Sequence, residues 1–128
     1  MVTDITNGVK VSVETFYQAD FSNPQKGEYM FAYRITIENK GSHTVKLTRR
    51  HWFIFDAIGE HREVEGEGVV GEQPEILPGS LHQYVSGCNL KSPAGKMYGT
   101  YLMETLPESK FFEVRIPVFP LVADFILN

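Results

Sequence analysis

The dominant period of hydrophobic positions along this chain is two. Val9, Val11 and Val13 alternate with Lys10, Ser12 and Glu14, as they must when successive side chains of a half-buried strand point to opposite faces. The clearest case is Tyr29, Phe31, Tyr33, Ile35 and Ile37, with Arg34, Thr36 and Glu38 on the other face. A helix would repeat its apolar residues three to four apart, so this alternation predicts a strand. Asn23-Pro24-Gln25-Lys26-Gly27 separates the two runs with turn chemistry. Asn39-Lys40-Gly41-Ser42 ends the second run and is expected to start a hairpin. Val45–Phe55 then forms a strand, interrupted or bulged around Arg49-Arg50. Asp56-Ala57-Ile58-Gly59 suits a type I turn followed by a left-handed glycine, from which Glu60–Glu65 runs back. Leu77-Pro78-Gly79-Ser80 has the central Pro-Gly pair of a type II turn. Leu81–Cys88, Met97–Met103 and Phe112–Ile116 read as further strands, with Phe125–Leu127 a short last one.

Seven or eight short strands, turn signals at this spacing and no helical period predict an all-β fold. The clean inward and outward alternation favours a β-sandwich of the immunoglobulin or fibronectin type III kind. At 128 residues the chain fits one domain, 1–128, with no internal boundary or repeat. Nine Phe and six Tyr agree with a strand-rich chain.

Charge narrows the partners. Neutralising a stretch of phosphates needs a basic face, so with a net charge of −4 nucleic acid is not expected as a partner. No run approaches the ~20 apolar residues of a membrane span. Nor does Met1-Val2-Thr3-Asp4 carry a basic and apolar leader signal, and the one cysteine, Cys88, suits a reducing compartment. A cytoplasmic protein without a membrane partner is the expectation.

Gly66-Glu67-Gly68-Val69-Val70-Gly71 is a literal G-x-G-x-x-G. A dinucleotide site needs a helix behind that motif to hold the pyrophosphate. Glu72-Gln73-Pro74-Glu75-Ile76-Leu77-Pro78 follows instead, and its two prolines exclude the helix. Two readings of the loop remain. Its amides form a small anion-binding concavity through Gly66, Gly68 and Gly71, or its glycines are needed for positive φ and close packing. Six glutamates between Glu60 and Glu75, against Arg62 alone, weigh against an anion. If the turn at Asp56–Gly59 sets the register, Trp52 faces Val64, His51 faces Glu65 and Arg50 faces Gly66. Arg50 then stands at the mouth of the loop, to meet a phosphate or to pair with Glu65 or Glu67. Arg49, Arg50 and His51 together form a candidate interaction surface. Trp52 reads as core, with ligand stacking the alternative.

Catalytic constellations are thin. His43, His51, His61 and His82 are scattered without zinc-ligand spacing, so no metal and no cofactor are expected. Cys88 has no nucleophile signature and, within a strand, reads as packing.

Several blocks resemble the ApaG family: Arg50-His51-Trp52-Phe53-Ile54-Phe55-Asp56, then Gly66-Glu67-Gly68-Val69-Val70-Gly71-Glu72-Gln73-Pro74, Leu77-Pro78-Gly79, Tyr84-Val85-Ser86-Gly87-Cys88 and Gly95-Lys96-Met97-Tyr98-Gly99-Thr100-Tyr101. The resemblance implies the same sandwich fold and no established catalytic residues. It further implies a link to cobalt and magnesium tolerance, and genes often found beside a diadenosine tetraphosphate hydrolase. Similar domains attached to eukaryotic F-box and polymerase-interacting proteins imply a protein-interaction role. The expectation is therefore a non-enzymatic module that binds another protein. The alternative is a binder of diphosphate-containing nucleotides or a metal–phosphate at Gly66–Gly71. A hydrolase would need an acid, a base and a metal cluster that the chain does not present. A homo-oligomer is left open.

Overall fold

The computed structural model describes residues 1–126. Among these described residues nine strands form two sheets: β1 Val2–Thr6, β2 Val9–Tyr17, β3 Tyr29–Asn39, β4 Thr44–Asp56, β5 Glu60–Glu67, β6 Glu75–Ile76, β7 Leu81–Leu90, β8 Ala94–Leu106 and β9 Lys110–Val122. One sheet has the order β1-β2-β3-β7 and the other β5-β4-β8-β9, with β6 also on β4. All pairings are antiparallel. The fold is an all-β sandwich, as the period of two predicts. Among the described residues no helix is long and apolar enough to cross a membrane.

The alternating residues build the core. Val9, Val11 and Val13 of β2 and Phe31, Tyr33, Ile35 and Ile37 of β3 are all buried on one face. Opposite them lie Trp52 and Ile54 of β4, Tyr101 and Met103 of β8, and Val114 and Phe119 of β9. Trp52 is 3% exposed and packs with Tyr33 at 5.5 Å and Phe119 at 5.8 Å between ring centroids. The core reading of that residue holds, and truncating such a side chain costs about 3–5 kcal/mol.

Four differences from the sequence expectations have physical reasons. The Asn39–Ser42 segment does not start a hairpin: β3 and β4 lie in different sheets. Buried Asn39 holds the crossing, donating from Nδ2 to His43 O at 2.7 Å and Ile76 O at 2.8 Å and accepting from Gly41 N at 3.0 Å. Turn residues mark where a chain leaves a strand, but not which sheet receives it. Second, β1 exists and pairs with β2 across Asn7-Gly8, at φ 46° and 81°. Asn-Gly is the strongest short hairpin signal, and it was in plain view. Third, β6 is a two-residue strand too short to leave a period. Fourth, Asp124–Ile126 is a 3-10 turn rather than a strand, with Phe125 edge-on to Tyr17 at 6.0 Å. Leu127 lies outside the described residues.

The two lateral sides of the sandwich differ. Where β1 faces β9, Arg115 donates to Asp4 Oδ2 at 3.1 Å and Ile5 O at 3.2 Å, and its amide donates to Thr6 Oγ1 at 3.1 Å. That side is laced shut. On the other side, β7 ends one sheet and β5 ends the other.

Candidate functional site

The β4–β5 hairpin has the anticipated register. Asp56 pairs with Glu60, Trp52 with Val64, His51 with Glu65 and Arg50 with Gly66. Gly59 closes the turn with its amide on Asp56 O at 2.8 Å and φ of 100°. The expected irregularity in β4 is a bulge between Leu47 and Arg49 in the pairing with β8. It shifts the parity of the strand: Val45 and Leu47 face the core before it, and Trp52 and Ile54 after it. Arg50 therefore shares the inner face with Trp52, whereas Arg49 and His51 point outward. Arg49, Arg50 and His51 nevertheless border one shallow recess of about 220 Å³, together with Glu65, Thr100, Leu102 and Glu113.

His51 lies between two outward carboxylates, with Nδ1 at 3.1 Å from Glu65 Oε1 and Nε2 at 3.5 Å from Glu63 Oε2. Nε2 is shielded from solvent and makes no well-formed hydrogen bond. The ring packs on Phe53, which stacks on Tyr98 at 5.3 Å and 13°.

Three amides of the glycine loop, those of Gly68, Val69 and Glu72, are spent on backbone carbonyls. Gly68 N donates to Thr48 O at 2.8 Å, the carbonyl of the bulged residue. Val69 N and Glu72 O, and Glu72 N and Val69 O, are 2.8 and 3.0 Å apart. These two bonds close a tight turn whose central residues, Val70 and Gly71, have φ of 47° and 77°. Both positive angles are those of a type I′ turn. Two of the three glycines meet close contacts. A Cβ on Gly66 would stand 2.8 Å from Arg50 Nη1, and one on Gly68 would stand 2.0 Å from Glu72 O. Arg50 Nη1 donates to the Glu67 carbonyl at 2.9 Å and the Gly68 carbonyl at 3.1 Å. It pairs with no carboxylate among the described residues, neither Glu65 nor Glu67.

Beneath Arg50, between β7 and β5, lies an open slot of about 330 Å³. Tyr33, Trp52, Val64, Tyr84 and Cys88 line it with Arg50, and no carboxylate does. Burial pushes the Tyr33 and Tyr84 phenols upward, despite hydrogen bonds from Ser86 and Tyr101 respectively. Burial likewise raises the Cys88 thiol against the pull of nearby Arg62. At neutral pH these groups are uncharged, and the thiol is held as a thiol. Arg62 reaches across from β5 to β7 beside the slot, donating to Asn89 O and approaching Cys88 Sγ at 3.5 Å. On the glycine-loop side, His82 Nε2 of β7 comes within 4.0 Å of Glu72 Oε2. Tyr33, Tyr84, Cys88 and Arg62 were not among the sequence candidates. Alternation in Leu81–Cys88 placed Tyr84 and Cys88 on one face, but not opposite Arg50. Among the described residues no group of three or more His, Cys, Asp or Glu is placed to hold a metal ion.

A sandwich with one laced side and one open, slotted side defines a class: an all-β domain with a recess between two edge strands. This chain belongs to the ApaG family, whose domain model matches residues 19–105. Protein ApaG of Paramagnetospirillum magneticum is 48% identical over 121 residues, 94% of this chain and 92% of that protein. Protein ApaG of Brucella anthropi is 49% identical over the same shares. The crystal structure of a Bordetella pertussis protein described as ApaA superposes with a TM-score of 0.87 at 40% identity, covering 95% of each chain.

Proposed function

We propose that this protein is a non-enzymatic binding module of the cytoplasm that docks another protein on its open side, between β7 and β5. One observation carries the reading. The ten residues of β7, Leu81–Leu90, contain no Lys, Arg, Asp, Glu or Pro, and pair with β3 alone among the described residues. Sheet edges are normally blunted with charge or proline because unpaired backbone groups invite another chain. Here β5 has that protection, in Glu60, Glu63, Glu65 and Glu67, and β7 does not. Val85, at the middle of β7, is 57% exposed. A link to cobalt and magnesium tolerance, as the ApaG resemblance implies, would run through the docked partner.

The test is position-specific. A photo-crosslinking residue placed at Val85 should give a discrete protein adduct in cells, and one at exposed Val118 on β9 should not. Equal adducts at both positions would remove the reading.

A second reading keeps the glycine loop as a diphosphate site, and the unpaired charge of Arg50 favours it. The commitment of the Gly68, Val69 and Glu72 amides within the loop opposes it. Amide NMR titration with diphosphate, with and without Mg²⁺, should leave Gly66, Gly68 and Gly71 unshifted at millimolar ligand. Saturable shifts there, lost in Arg50→Ala, would put the phosphate reading first.

A further inference from the structure

We infer that the open side holds the place of a missing strand, and that its occupant is an extended segment of the partner with acidic, apolar and acidic side chains at alternate positions. The inference rests on the protein-docking reading above and specifies its chemistry. Sheet β5-β4-β8-β9 overhangs its neighbour, so the inner face of β5 is left uncovered: Arg62 is exposed and Val64 is 39% exposed. Directly above that face runs the free edge of β7. The direction of its backbone groups follows from the ladder. Met30 of β3 spends its amide on Ser22 Oγ and its carbonyl on Gln18 N, both away from β7. Its register partner Asn89 therefore turns its own amide and carbonyl to the open side. By the same alternation so do Gly87, Val85 and Gln83. Arg62 agrees with this direction, since it already bonds to the Asn89 carbonyl. A strand added beside β7 would find a row of donors and acceptors at one side and the slot beneath it.

The inner face of β5, which floors the open side, states what the added side chains must be. Arg62, Val64 and Gly66 are successive inner-face positions of β5, about 7 Å apart. The Arg50 guanidinium lies over Gly66. The floor thus reads cation, apolar, cation at the spacing with which alternate side chains leave a strand. Neither arginine pairs with a carboxylate among the described residues. Two carboxylates flanking one apolar residue complement that row, and the pattern reads the same in either chain direction. On docking, a backbone N–H of the incoming strand takes the Asn89 carbonyl from Arg62 and frees the guanidinium for its carboxylate. Glu63, Glu65 and Glu67 lie on the other face of β5, where solvent and salt screen them. A second copy of this chain fits less well, because pairing β7 with β7 would bring two glutamate-rich β5 strands together.

The probe is a set of synthetic peptides: Asp-Thr-Leu-Thr-Asp within neutral flanks, the same peptide with Lys for Asp, and a shuffled peptide of the acidic composition. The acidic alternating peptide should shift the amides of Gln83, Val85, Gly87 and Asn89 saturably. It should bind at least about tenfold more tightly than the other two. Val85→Pro removes only an outward-facing amide and should abolish the binding. N-methylation of the peptide at alternate positions should do the same without touching the protein. Equal or tighter binding of the lysine or shuffled peptide would overturn the acidic pattern. Binding that survives both Val85→Pro and N-methylation would overturn strand addition. If no peptide binds while crosslinking at Val85 persists in cells, the docking reading stands and this inference falls.

Discussion

Val70 is a β-branched residue at φ 47°, on an exposed turn at the rim of the slot, where its Cβ crowds its own backbone. Residues held in such regions cost about 1–3 kcal/mol. Val70→Asn creates Asn-Gly, the preferred pair for this turn, and should raise stability by about 1 kcal/mol in urea denaturation. A lower midpoint would mean that the loop needs valine for a contact elsewhere. Gly68 has the opposite constraint. With φ of 61° and only 2.0 Å between a Cβ and Glu72 O, Gly68→Val should cost about 3 kcal/mol or more in the same measurement. Gly66, Gly68 and Gly71 spell a nucleotide motif, yet each is explained by an arginine overhead, a carbonyl at close range or a positive φ. A motif of spacing alone cannot separate these causes from phosphate binding, because both need a missing side chain.

At the scale of elements, the end of β4 is held by a buried carboxylate. Asp56 accepts from Lys91 N and Ser92 Oγ, each at 2.6 Å, and from Ile58 N at 3.4 Å. These bonds join the β4–β5 turn to the β7–β8 connection. Burial pushes the carboxyl up, but the hydrogen bonds and the charge of Arg62 more than offset this and leave it below its ordinary value. A lowered folded-state pKa contributes stability that is present above the unfolded value near about 4 and lost as pH falls through the folded one. Asp56→Asn should therefore cost about 2 kcal/mol at pH 7. The gap to the native protein should close on acidification below about pH 4. A gap that stays constant from pH 7 to pH 2 would mean that shape, not charge, makes Asp56 matter. The turn itself was legible, because Asp56 and Gly59 are three residues apart with the chemistry of one local structure. Its tie to Ser92 was not, since those partners are 36 residues apart.

The whole molecule is asymmetric across its sides, and this should show in amide exchange. Central strands β2, β3, β4 and β8 are paired on both edges and should exchange most slowly. Exposed β5, together with Gln83, Val85 and Gly87 of β7, should exchange fastest among strand residues. Uniform protection across β5 and β7 would mean that the open side is already covered in solution. The sequence by itself determined the longer strands β2, β3, β4, β5, β7, β8 and β9, because a period of two is set by backbone geometry within a few residues. It also determined the β4–β5 register, because a short turn leaves one pairing. Tertiary structure alone decided the rest. It sent β3 and β4 to opposite sheets, turned Arg50 inward through a one-residue bulge, and left β7 and β5 as neighbouring edges. Those outcomes depend on which distant apolar faces pack together, and burial of apolar surface has no direction along the chain from which the partner could be read.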